Sequence, residues 1–158
     1  MGFFFMSERL ERKLVHLGNQ IYDYAISETG DFVIDESFDS DIIVSLFCDR
    51  RADQSEISQP EFRGGWFGDV VTTLQNYQIG SKLWLTYQSR FNQDTETKMQ
   101  TYVQSCLSWI TELGYAQRVQ VSVNRQGIEE MIIDIKIYVT EDEVEKFSYK
   151  IWKNSDYI

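Results

Sequence analysis

The last third of the chain alternates apolar and polar residues with a period of two. Val119, Val121 and Val123 alternate with Arg118, Gln120 and Ser122; Met131, Ile133, Ile135, Ile137 and Val139 alternate with Asp134 and Lys136; Phe147, Tyr149 and Ile151 alternate with Ser148 and Lys150. Successive strand residues point to opposite faces, so this pattern predicts strands with one apolar side. Gln126-Gly127 and the stretch Thr140-Glu141-Asp142-Glu143 supply the turns of a three-stranded antiparallel meander. A lone sheet of this kind leaves its isoleucines in water, so helices from upstream must cover them. The expected fold is α+β: an N-terminal hairpin, with helices packed on one face of a C-terminal antiparallel three-stranded meander.

Upstream the period lengthens. Met99, Tyr102, Val103, Cys106, Leu107, Ile110 and Leu113 recur at spacings of three and four, with Asp94 as the expected cap, Glu96 in the first turn and Gly114 just past the end. Ile42, Ile43, Leu46 and Phe47 predict an earlier helix face, capped by Asp39 or Ser40 with Asp41 in its first turn. Val70 to Tyr77 predicts a short helix, and Leu83, Trp84, Tyr87 and Phe91 predict another that opens at Gly80-Ser81. Nearer the start, Tyr22, Tyr24 and Ile26 turn through Glu28-Thr29-Gly30 into Asp31-Phe32-Val33-Ile34, a two-stranded hairpin. Leu10, Leu14 and Leu17 give residues 7–16 the stripe of a short helix. Residues 1–19 are expected as an N-terminal extension and 20–158 as a single domain.

Between the helical stretches lies Arg63-Gly64-Gly65-Trp66-Phe67-Gly68-Asp69. Glycine at this density reaches backbone conformations closed to other residues or lets another surface approach closely. Trp66 and Phe67 are expected to bury their rings and pack the turn, leaving Arg63 and Asp69 to reach outward or pair. Arg50, Arg51 and Lys82 flank this turn in sequence, and their charges either lock the loop internally or receive an acidic partner.

Composition narrows the function. The 158 residues are 42% hydrophobic and 15% aromatic, a globular balance. With 15 basic against 25 acidic residues the net charge is −10, which argues against nucleic acid and anionic membranes as partners and favours solubility or a basic protein partner. Cys48 and Cys106 lie on predicted apolar helix faces and are expected as buried thiols without a disulfide. The opening Met1-Gly2-Phe3-Phe4-Phe5-Met6 is too short for an export signal, so the chain is expected in a cytoplasm unless a larger particle carries it out.

His16 is the single histidine, read as a surface residue, which removes most metal and triad chemistries, and no nucleophile elbow or phosphate-binding loop occurs. No cofactor is expected. Paired carboxylates remain: Glu61 and Asp69 flank an aromatic loop that could stack on a sugar, as in a small lysozyme-like glycan hydrolase. Against that, Asp69 is expected to cap the following helix and Glu61 to pair with Arg50, Arg51 or Arg63.

Three blocks carry a resemblance. Ser45-Leu46-Phe47-Cys48-Asp49-Arg50-Arg51-Ala52, Gly65-Trp66-Phe67-Gly68-Asp69 and Gly80-Ser81-Lys82-Leu83-Trp84-Leu85, followed by Leu107-Ser108-Trp109-Ile110 through Gly114, resemble the Mu-like phage baseplate protein family over about residues 20–125. That family is similar to the short, lysozyme-like wedge subunit of contractile tails, in which a Glu-Pro-Arg loop follows the first helix. Here Gln59-Pro60-Glu61-Phe62-Arg63 is the nearest equivalent, with Glu and Pro exchanged. The resemblance implies a non-enzymatic virion protein, made in the host cytoplasm and carried in the tail baseplate. It would join larger wedge proteins around the hub and contact the first sheath ring through a terminal strand at Lys146–Lys153. The implied contact or core-loop residues are Arg50, Arg51, Glu61, Arg63, Gly64, Gly65, Trp66, Phe67, Gly68, Asp69, Gly80, Ser81, Lys82 and Trp84. The rival classes are the paired-carboxylate hydrolase and a free acidic adaptor with a basic host partner.

Overall fold

The computed structural model describes residues 11–18, 21–70 and 78–152, and the chain divides into two compact units, 1–43 and 44–158. In the first unit, strands β1 (Glu11–Arg12), β2 (Leu14–Gly18), β3 (Ile21–Tyr24) and β4 (Ile34–Asp35) form two antiparallel pairs, β1 with β4 and β2 with β3. The expected turn is present: the Gly30 amide donates to the Ser27 carbonyl at 3.0 Å, and Ile26 bridges Phe32. The short helix expected over 7–16 is not formed at 11–12 or 14–18, which are strand; residues 7–10 lie outside the described part. The leucine stripe is outweighed by backbone pairing, Leu14 opposite Tyr24 and His16 opposite Tyr22. His16 is exposed, as expected, with its ring against Tyr22.

Helix α1 (Asp39–Phe47) begins in the first unit, but neither Asp39 nor Ser40 supplies the expected cap. The capping carboxylate is Asp35, four residues upstream of the helix on strand β4. One of its oxygens accepts from the Ser37 amide and hydroxyl at 3.0 and 2.8 Å, the other from the Ser40 amide and hydroxyl at 3.1 and 2.5 Å. Ser40 in turn accepts from the Leu14 amide at 2.9 Å, so one buried carboxylate ties strand and helix together. Burial works to raise the Asp35 pKa, but the Ser40 and Ser37 hydrogen bonds outweigh it and hold the group below the ordinary value.

In the second unit, β5 (Arg118–Arg125), β6 (Glu130–Tyr138) and β7 (Val144–Trp152) form the expected antiparallel meander in the order β5-β6-β7. Its register places Val121 opposite Ile135 and Ile135 opposite Phe147, which stacks the alternating apolar residues on one face. Val121, Val123, Met131, Ile133, Ile135, Ile137 and Ile151 are buried there. Helices α2 (Gln93–Cys106) and α3 (Ser108–Glu112) pack against β5. The opposite face is polar: Ser148 donates to Asp134 at 2.7 Å, and Arg118 lies 3.9 Å from the Tyr138 ring centroid.

The long helix differs from expectation in two places. Its cap is Asn92, whose side chain accepts from the Thr95 amide at 2.9 Å; Asp94 sits in the first turn, where its charge suits the helix N-terminus. At the other end the helix breaks at the buried Leu107 and restarts as α3, which lets the Trp109 indole donate to Ser45 at 3.2 Å while Ile110 stays buried. The helix expected to open at Gly80-Ser81 is only a 3-10 turn, Leu83–Thr86, whose Thr86 hydroxyl closes onto the Leu83 carbonyl at 2.6 Å. The helix expected over Val70 to Tyr77 falls outside the described residues, except that Val70 ends a 3-10 turn at Phe67–Val70. Cys48 lies just past α1 and is only half-buried, against expectation, while Cys106 ends α2 and is buried; both are free thiols, and burial pushes Cys106 up to about 12.

Candidate functional site: a glycine-lined platform

The stretch leaving α1 is held on both sides. Ser81 runs alongside it in parallel: its amide donates to the Cys48 carbonyl at 2.9 Å, and the Arg50 amide donates to the Ser81 carbonyl at 2.9 Å. Two residues on, the Ala52 amide donates to the Arg63 carbonyl at 2.8 Å, while Arg63 Nε returns a bond to the Ala52 carbonyl at 2.7 Å. The Trp84 indole N–H donates to the Arg50 carbonyl at 2.9 Å, and the buried Ser81 hydroxyl donates to the Leu46 carbonyl at 2.6 Å. Segments around residues 50, 63 and 81 are thereby knitted through backbone groups into one platform.

This knitting dictates the glycines. A Cβ on Gly80 would run into the Cys48 carbonyl oxygen, and one on Gly65 would sit 2.8 Å from the Arg51 Cβ. A Cβ on Gly64 would lie 2.9 Å from the Trp84 ring. Gly68 lies within the 3-10 turn Phe67–Val70. The tryptophan packed into the platform is thus Trp84, not Trp66.

The expectation that Trp66 and Phe67 bury their rings is corrected. Their centroids are 5.5 Å apart, yet Phe67 is 79% exposed and Trp66 43%, with Phe62 beside them in the chain at 68%. Glycine backbone, not aromatic side chain, fills the space against the neighbouring segments, so the rings are left outside. Phe62 carries no motif of its own, and its place next to Glu61 is the only signal in the sequence that could have marked it.

The basic residues divide. Arg50 donates to the Gln78 carbonyl at 2.7 Å, and Arg63 to Ala52 as above, so both lock the platform internally. Lys82 pairs with Asp53 at 2.7 Å and with Glu56 at 2.8 Å, two partners that no motif in the sequence marks. Burial would lower the Lys82 pKa, but the hydrogen bonds and charges of those carboxylates outweigh it and hold it above the ordinary value. Arg51 is exposed. Because Asp53 lies in solvent, screening weakens that pair. Lys82→Met is therefore expected to shift the urea midpoint only slightly, and the shift should vanish near about 1 M salt; a large, salt-insensitive loss would show that the pair holds the platform.

Glu61 is exposed on the 3-10 turn Pro60–Phe62, and among the described residues no ion pair joins it to Arg50, Arg51 or Arg63, contrary to expectation. Asp69 is half-buried, and one of its oxygens accepts from the Ile79 amide at 3.3 Å. Arg50 and Asp69 thus grip the carbonyl and the amide of one peptide group, Gln78–Ile79. No hydrogen bond links Glu61 to Asp69 among the described residues. Nor do the described residues bring together three His, Cys, Asp or Glu side chains able to hold a metal ion.

A family model described as phage protein GP46 matches residues 38–144, from the residue before α1 to the first residue of β7, and so includes the whole platform. The match begins later and ends later than the span of about 20–125 given by the motif blocks: it leaves out residues 20–37 and takes in β5, β6 and the start of β7. The chain is similar to baseplate protein gp46 of Escherichia phage Mu, 27% identical over 122 residues that cover 76% of this chain and 82% of the relative. It is also similar to the Mu-like prophage FluMu protein gp46 of Haemophilus influenzae, 26% identical over 122 residues that cover 77% of this chain and 83% of the relative.

Proposed function

Since the chain belongs to the phage protein GP46 family, we propose that it is a structural wedge subunit of a contractile-tail baseplate, with the platform as its contact to larger wedge proteins. A relative named as a baseplate protein supports the structural role and a place in the virion tail. The observation that carries the contact assignment is the exposed set Phe62, Trp66 and Phe67 beside the exposed Arg51, mounted on a backbone-bonded scaffold. Aromatic and arginine side chains presented rigidly are the usual anchors of protein interfaces, because little conformational entropy is lost when they dock.

Around the hub, such a subunit holds its neighbours in register and passes the baseplate's change of state to the sheath. The second contact is the strand β7, at one edge of the three-stranded sheet, offered to the first sheath ring. An edge strand presents unpaired backbone groups to another chain. The Lys153 end of the expected edge lies outside the described residues. Assembly in the host cytoplasm follows from the same reading. Among the described residues no helix is long and apolar enough to cross a membrane.

Mass spectrometry of purified contractile particles tests this, with the chain quantified against sheath protein. Enrichment in baseplates after sheath removal is expected; recovery only from the soluble lysate refutes the reading. Phe67→Ala probes the platform directly. The ring is 79% exposed, so the change should leave stability within about 0.5 kcal/mol. Incorporation should nevertheless fall about tenfold or more if the ring is an anchor. Normal incorporation of Phe67→Ala removes the aromatic group from the contact.

A further inference from the structure

Beside the platform, toward α2, lies a pocket of about 400 Å³ lined in part by Arg50, Asp53, Lys82, Tyr102 and Ser105. Its two cations are in different circumstances. Lys82 is matched by the carboxylates of Asp53 and Glu56 at 2.7 and 2.8 Å. Arg50 has no carboxylate within ion-pair distance among the described residues. It donates to one backbone carbonyl, that of Gln78 at 2.7 Å, and its Nε is buried with no hydrogen-bond partner.

A guanidinium is always charged and carries five N–H donors in a planar fork. A cation whose donors are partly buried and unmatched is an unfavourable arrangement, relieved when an anion completes it. Carboxylates fit best, because their two oxygens match the fork. The α2 wall adds hydroxyl groups from Ser105 and Tyr102 that can donate to the same anion. Asp53 does not fill the role: its charge is taken up by Lys82.

We propose that this pocket receives the carboxylate of an acidic side chain from a neighbouring baseplate protein, with Arg50 as its counter-charge. The inference rests on the baseplate reading and adds the chemistry of the partner's anchoring group. It also assigns the internally bonded arginine a second task, which its bond to Gln78 leaves open.

Ser105→Glu tests it, because the exposed Ser105 lines the pocket and a carboxylate there would occupy it from within. The expected result is a raised Tm for the purified chain and about tenfold or greater loss of incorporation into baseplates. Ser105→Gln, of the same shape without charge, should incorporate as wild type does. Equal incorporation of Ser105→Glu and wild type overturns the proposal, and so does an equal loss in Ser105→Gln, which would mean crowding and not charge. Titration of the wild-type chain with sodium acetate should move the Arg50 Nε–H resonance saturably, and sodium chloride at matched ionic strength should not. An acetate response with normal incorporation of Ser105→Glu overturns the partner assignment, since the pocket would then take only free carboxylates. Absence of the wild-type chain from baseplates overturns the baseplate reading itself, and this inference with it.

Discussion

Gly80→Ala is expected to destabilise the second unit by about 3–5 kcal/mol, the largest effect of a glycine-to-alanine change among the described positive-φ glycines. Gly80 sits at φ 89°, where an L side chain is strained, and the added Cβ would meet the Cys48 carbonyl oxygen, a backbone atom that cannot swing aside. Relieving the clash means separating residue 80 from residue 48. The adjacent bonds of Ser81 to Cys48, Arg50 and Leu46 would go with it. Gly127→Ala provides the control: φ there is 82°, but no atom lies within 4 Å of the added Cβ, so only the conformational cost of about 1–2 kcal/mol applies. Urea unfolding of both variants separates the terms. Equal losses would mean that the platform yields without cost and is not the rigid scaffold described above.

Asp35→Ala is expected to weaken the first unit by about 3 kcal/mol. The substitution removes a buried acceptor of four hydrogen bonds and leaves the Ser37 and Ser40 amides without it. The pH dependence follows from the direction of the shift. The folded-state pKa lies below the unfolded value of about 3.9, so the stabilisation is complete above that value and is lost as pH falls through the folded pKa. Because the chain has two units, a single global midpoint is a poor readout. Amide exchange at Leu14 and Ser40 reports the affected bonds directly: protection should drop in the variant at neutral pH and in wild type only under acid. An acid-induced loss that persists unchanged in Asp35→Ala would assign it to another carboxylate.

An element was legible in the sequence where its deciding partner is near in the chain. The meander was legible because period two fixes which residues share a face, and the register then pairs Val121 with Ile135 as the alternation requires. The core of α2 was legible for the same reason at helical period. The cap of α1 was not, because its carboxylate sits on a strand, where no capping rule looks. Residues 14–18 carried a helical stripe, but pairing with 21–24 decided their conformation. Within the candidate site, the need for close backbone approach was visible in the glycines. Which tryptophan would pack into the platform was not, because Trp84 reaches Arg50 across 34 residues. Likewise the basic residues stood out, but their division into Lys82 with two counter-charges and Arg50 with none among the described residues depends on where Asp53 and Glu56 fall in space.

The platform's long-range backbone bonds also bear on chain entropy. Each hairpin of the meander closes across a turn of a few residues, between strands already adjacent in sequence. The Trp84 to Arg50 bond closes a loop of 34 residues. With closure entropy growing as the logarithm of loop length, drawing the platform together costs roughly 1.5–2 kcal/mol more than closing a five-residue turn. A fragment can keep the short Ala52–Arg63 closure, but a chain cut between residues 50 and 84 no longer ties Trp84 to Arg50 through one backbone.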